Sequence, residues 1–217
     1  MKYLLFALTI TALFACDAEI PNPKKLGYQG IPTIETQVNE NGDSVKVEIP
    51  FVVPEFKFLN QDSNYVTNKD FEGKIYVVDF FFTKCPSICV DLTRNMLRIH
   101  NEFKDDDRVA LISHSIDYLN DSVSVLKAHA VDLGVEAPKW HFVECDRDQT
   151  YAFAKHYMNT AVENEDAPGG YEHSGYLVLT DTDGHLRSYA DGTSPEKVDV
   201  LIEDIKILLK EMEDSKQ

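Results

Sequence analysis

The sequence predicts an α/β domain on a central β-sheet of mixed direction, flanked by helices and preceded by extra N-terminal strands. Three observations carry that prediction. The runs IYVVDFFF and VALISHSI are apolar almost throughout, as strands buried on both faces are. Between them, DLTRNMLRIHNEF spaces Leu92, Met96, Leu97 and Phe103 as one helix face does. Later, GYLVLTD and HLRSYAD flank Thr182-Asp183-Gly184, a hairpin signal that adds two antiparallel strands to the β-α-β order.

Each element has its own warrant. Residues 30–72 read as short extended pieces: VKVEIPFVV alternates in part, Asn41-Gly42 marks a turn, and EFKFLNQDSNYV ends in polar punctuation. After the first buried strand, a helix is expected from about Pro86, because proline suits a first helical position. Asp121 and Ser122 offer N-caps for VSVLKAHAVDLG, which stops at Gly134. WHFVE is a third strand and RDQTYAFAKHYM a further helix. NTAVENEDAPGG reads as a loop, and Ser194-Pro195-Glu196 opens the last helix, VDVLIEDIKILLKEM.

The chain has 217 residues and a formal net charge of −16, which excludes nucleic acid as a partner because its phosphates would be repelled. MKYLLFALTITALFAC has the charged start and short apolar stretch of a secretory signal. Its last four residues, Leu13-Phe14-Ala15-Cys16, resemble a bacterial lipobox, so Cys16 is the expected lipidation site. The expected organisation is a lipoprotein-type signal peptide over 1–16, a tether and N-terminal extension over 17–45, and one folded domain over 46–213. No other segment is long and apolar enough to cross a membrane.

Cys85 and Cys89 stand in FFFTKCPSIC, where the first apolar run stops. In an oxidising exported compartment a close pair is a structural disulfide, a redox couple or a metal clamp. A cysteine at a helix start meets free N–H groups and the positive end of the dipole, which favours thiolate. One turn further on, Cys89 would share its face. A redox reading has Cys85 attack and Cys89 resolve. A peroxidase reading is weaker, since Thr83 stands only two positions before Cys85 and the strand has no proline. As a metal clamp, two soft thiolates select Cu(I), and an imidazole would close the open site. Zinc accepts the same donors.

Histidines number seven. His100, His129 and His156 fall in predicted helices, His114 and His141 on strands, and His185 beside the hairpin turn; structural roles are expected for these six. His173 is different, standing in PGGYEHSGYLVL just before the strand that opens the hairpin. Cys145, in HFVECDRD, is expected to be a structural thiol at a strand end, or else a link between two chains.

A cysteine between a central strand and a helix resembles the thioredoxin fold. That fold usually places a cis-proline directly before the hairpin strand, facing the active-site helix; here Pro168 lies well upstream and His173 takes the approach. More specifically, FFFTKCPSIC, ISHSID, DSVSVLKAHAVDLG with KWHF, and APGGYEHSGYLVLTDTDGHLRSYADGT together resemble the Sco/SenC family, over roughly residues 50–210. The resemblance implies a copper protein tethered to the membrane by its N-terminal lipid and facing the periplasm or cell exterior, which assists assembly of the binuclear copper centre of cytochrome c oxidase subunit II or serves another exported copper protein. It would deliver copper, reduce the receiving cysteines, or both, as a metallochaperone and not an enzyme; the alternative is a thiol–disulfide oxidoreductase acting on exported proteins. By position, Cys85 and Cys89 match the family's thiolate ligands and His173 its imidazole ligand, for Cu(I) and Cu(II). The chain departs from the family pattern at Val90, at Glu172 and at Tyr118-Leu119-Asn120-Asp121, and none of these removes a ligand.

Overall fold

The computed structural model describes residues 25–144 and 146–215, so the signal segment, Cys16 and Cys145 lie outside the described residues. The chain opens with an antiparallel hairpin of β1 (Thr33–Val38) and β2 (Ser44–Ile49), turning at Gly42 with a φ of 86°. This hairpin spans the boundary expected at residue 46. A second small pair follows, β3 (Lys57–Leu59) with β4 (Tyr65–Thr67). Then come β5 (Ile75–Phe81), α1 (Cys89–Phe103), β6 (Val109–Ser115), α2 (Val123–Leu133), β7 (Trp140–Val143) and α3 (Arg147–Ala154). The short strands β8 (Ala161–Glu163) and β9 (Tyr171–His173) pair with each other, and β10 (Tyr176–Thr180), β11 (Leu186–Asp191) and α4 (Pro195–Asp214) complete the chain.

The central sheet has the order β11-β10-β5-β6-β7, with β5, β6 and β7 parallel and β10 and β11 antiparallel. The mixed α/β architecture expected from the sequence is present. Every residue of β5 and β6 is buried, which is why neither shows a period of two. On α1, Leu92, Met96, Ile99 and Phe103 form the buried stripe, and α4 buries Val198, Leu201, Ile205 and Leu208. Ser194 caps α4 by accepting from the Lys197 N–H, with Pro195 in the first turn as expected.

Both sheet edges are covered. Along β7, the Asn60–Val143 bridge and the bonds Gln61 N–H to Phe142 O and Glu144 N–H to Leu59 O occupy the open groups. Along β11, Gln29 donates to Leu186 O at 2.7 Å. The N-terminal segment is clamped there by Arg187, which pairs with Asp181 at 2.9 Å and Glu211 at 2.8 Å and donates to Leu26 O. Because Thr180 pairs with Tyr76 near the start of β5, this clamp sits at the opposite end of the sheet from the residues that follow Phe81.

Three expectations change. α1 begins at Cys89 and not near Pro86, since residues 83–88 form successive turns and the helical bonding starts with Leu92 N–H to Ile88 O. The segment read as a loop contains β8 and β9, strands too short to carry a periodic signal. Ser122 is the N-cap residue of α2 without a side-chain capping bond, and the Asp121 carboxylate turns inward instead.

Two buried histidines are expected to lower the domain's stability in acid. His114 is enclosed by Phe58, Phe80 and Phe153, and neither ring nitrogen has a hydrogen-bond partner. Burial pushes its pKa down to about 3, and that of His141 to about 4. An unfolded histidine binds its proton near 6.5, so below that pH the unfolded state takes up more protons and stability falls as pH falls. Each group costs about 1.4 kcal/mol per pH unit until its folded value is reached. His114→Phe is therefore expected to keep about 2 kcal/mol more of its pH 7 stability at pH 5 than the wild type does. Urea unfolding at both pH values measures this, and parallel losses in the two proteins would refute it.

Candidate metal centre

The main chain leaves β5 at Phe81 and turns at once, with the Cys85 N–H donating to Phe82 O at 3.2 Å. Cys85 sits in this turn, and Cys89 is the first residue of α1. Both cysteines are free and nearly buried, at 9% and 5% exposure. His173 ends β9, half-buried, and reaches the pair from 84 residues along the chain, its Nε2 lying 3.3 Å from the Cys89 Sγ. The donor atoms of Cys85, Cys89 and His173 all lie within 4.8 Å of one another, a grouping that no other set of histidine, cysteine and acidic residues joins among the described residues.

The orientation of the imidazole follows from its other nitrogen. His173 Nδ1 lies 3.2 Å from Ser174 O, and a carbonyl can only accept, so Nδ1 carries the proton. The Nε2 lone pair is thus left facing the sulfurs, the arrangement a metal-ligating histidine uses. A thiolate–metal bond is about 2.3 Å and an imidazole–metal bond about 2.0 Å. Donors sharing one ion then lie roughly 3.5–4.5 Å apart, which these atoms meet with sub-ångström adjustment.

The two sulfurs are unequal. A hydrogen bond from the Cys89 thiol, with the Ser87 hydroxyl beside it, holds Cys85 far below the usual thiol range, against the opposing effect of burial. The same interaction, together with burial and the nearby Asp79, pushes Cys89 up. The pair thus shares one proton, and Cys85 is the sulfur drawn toward thiolate. The pull on Cys85 comes from the neighbouring thiol and not from a helix terminus, since α1 starts four residues later.

Beneath the pair, Asp79 of β5 is 3% exposed and accepts a short hydrogen bond from Ser113, which in turn accepts from Trp140 Nε1 at 2.8 Å. Burial raises the Asp79 carboxyl to about 7. A lone aspartate inside IYVVDFFF was the visible signal for this group, and the sequence reading passed over it.

Aromatic packing joins the histidine hairpin to the cysteine turn. Phe82 packs on Tyr171 at 5.2 Å and on His173 at 6.0 Å. Above it, Gly169 has a φ of +84°, and a Cβ there would lie 2.7 Å from the Phe82 ring. Only glycine permits that conformation and approach. Tyr171 donates to Asp117 at 2.9 Å, while Glu172 turns away to accept from Asn164 at 3.1 Å. The remaining histidines stay apart from the centre: His100, His129 and His141 are at least partly buried in the body of the domain, His185 bonds Phe51 O, and His156 is exposed.

Comparison with known proteins agrees with this geometry. The family model described as SCO1/SenC matches residues 47–210. The SCO1/SenC family lipoprotein from Bacillus anthracis superposes with a TM-score of 0.67 at 26% identity, covering 74% of this chain and 96% of that one. BsSco, described as a member of the Sco family of cytochrome c oxidase assembly proteins, gives a TM-score of 0.64 at 26% identity, with 73% and 94% covered. The copper-bound ScoI of Arabidopsis thaliana, at 21% identity and a TM-score of 0.61 over 74% and 99% of the two chains, shares the fold. The domain is thioredoxin-like, and the chain belongs to the SCO1/SenC family.

Proposed function

We propose that the protein is a copper metallochaperone in which Cys85, Cys89 and His173 hold the ion as cargo. The observation that carries this reading is the convergence of two sulfurs and a lone-pair-bearing imidazole nitrogen within 4.8 Å. Two thiolates suit Cu(I), and the imidazole together with a water or carboxylate serves Cu(II). Membership of this family supports assembly of the copper centre of cytochrome c oxidase subunit II as the task. A lipid on Cys16 would tether the domain, as befits a relative described as a lipoprotein. Among the described residues no helix is long and apolar enough to cross a membrane. The tether enters at the Arg187 clamp, so the sulfurs would face away from the anchoring surface.

A second reading, reduction of a partner's cysteines, is favoured by the inequality of the two sulfurs. Cys85 is poised to attack a disulfide and Cys89 to resolve the mixed species. The two roles are compatible, because copper needs the reduced pair.

X-ray absorption on the reduced, copper-loaded protein should find two sulfurs and one or two nitrogens around the metal. His173→Ala should keep the fold and weaken Cu(II) retention at least tenfold in a competition titration; unchanged affinity would remove the histidine from the ligand set. The redox reading has a separate check. With metal absent, alkylation of Cys85 by iodoacetamide should stay nearly constant from pH 7 to pH 5, because the thiolate persists there. An ordinary thiol would slow about tenfold per pH unit, and that behaviour would contradict an activated Cys85.

A further inference from the structure

Asp121 lies in the turn between β6 and α2, where its place just before Ser122 suggests a helix cap. Its carboxylate caps nothing. It is 3% exposed and accepts from the Thr83 N–H at 3.0 Å, from the Thr83 hydroxyl through a short bond, and from the Ser115 hydroxyl at 2.7 Å. Thr83 stands two residues before Cys85, at the first turn after β5. Three donors on one buried carboxylate leave that turn little freedom to shift.

The same loop also reaches the histidine side. Ser115 Oγ, besides donating to Asp121, accepts from the Asp117 N–H at 3.1 Å, and the Asp121 N–H donates to Asp117 O at 3.0 Å. Asp117 in turn receives the Tyr171 hydroxyl, two residues before His173. Thus one run of hydrogen bonds, from Thr83 through Asp121 and Ser115 to Asp117 and Tyr171, spans from the cysteine turn to the histidine strand. None of its members offers an atom to the sulfur–imidazole grouping.

We infer that Asp121 is a positioning residue for copper: by holding Thr83 it sets where Cys85 stands relative to Cys89 and His173. This rests on the copper reading above. The energetic reason is that a site whose ligands stand ready binds without first ordering them, whereas a freed turn must be reordered at the expense of affinity. Groups that orient metal ligands typically change affinity 10–100-fold when removed.

The test uses the reduced, folded protein and copper itself, in competition titrations well below the melting temperature, with the sulfur-to-copper charge-transfer band as a second readout. Asp121→Asn places an amide N–H where donors converge, and it should weaken copper about tenfold or more and shift the band. Thr83→Val removes only the hydroxyl and is the milder probe; it should weaken copper in the same direction, while Thr83→Ser restores wild-type behaviour. In the double variant Thr83→Val/Asp121→Asn the losses should not add, because both act through one contact. Gln61→Ala, which removes two buried hydrogen bonds on β7 and none in the run from Thr83 to Tyr171, serves as a control and should leave affinity and band unchanged. Wild-type affinity in folded Asp121→Asn and Thr83→Val, or an equal loss in Gln61→Ala, would overturn the inference. Failure of the wild type to bind copper would instead overturn the copper reading, and this inference with it.

Discussion

The structure depends on a meeting that local sequence cannot arrange: a sulfur on the first residue of α1 and an imidazole nitrogen from the end of β9, 3.3 Å apart. Nothing covalent joins them, and the hairpin carrying His173 is too short to be stable alone. Its place is fixed by the close approach of Gly169 to Phe82, by the packing of Tyr171 on Phe82 and by the Tyr171–Asp117 bond. The parallel core β5-β6-β7 supplies the rigid floor, since strands buried on both faces cannot shift without opening voids. The centre is therefore built from a turn, a helix start and a short strand end that lean on the sheet.

Much of this was legible in the chain. The two buried strands announced themselves as apolar runs because both faces are covered, and α4 through its serine cap, its proline and its periodicity. The cysteine pair could be seen from spacing, and His173 from its position before the hairpin. What could not be read is equally instructive. β8 and β9 are three residues each and stabilise one another only across a turn, so no window of sequence carries them. The late start of α1 was hidden because Pro86 suits a helix start, while the competing holds on the preceding turn, the Thr83–Asp121 bonds, come from 38 residues away. Asp121 shows the same limit from its own side. Beside Ser122 it looks like a local cap, and its tertiary role depends on a partner no spacing rule reaches.

The polar groups buried around the centre separate into two kinds. Asp121 and Asp117 each collect several donors, and their charge is spread over hydrogen bonds that the fold supplies. Such carboxylates are rigid because removing any one donor leaves a buried acceptor short, at a cost of about 1–3 kcal/mol. Asp79 has Ser113 and its strand for support, and burial leaves it near the boundary between charged and neutral at physiological pH. It lies close enough to Cys89 to oppose a second thiolate. The cysteine pair thus favours a single thiolate, with Cys85 drawn toward it and Cys89 toward the thiol.

That distribution bears on how an ion could enter and leave. Two thiolates side by side in a nearly dry pocket would repel each other, and the metal-free pair avoids this by sharing a proton. An arriving cation removes the need for that proton, since its own charge favours the second thiolate, and Nε2 of His173 already presents a lone pair toward the sulfurs. Departure reverses the balance: as the ion leaves, Cys89 must regain a proton. A centre that holds one proton in place of the ion avoids two adjacent thiolates when no cation is bound. The proton on Cys89 is in this sense as much a part of the centre as its three donors.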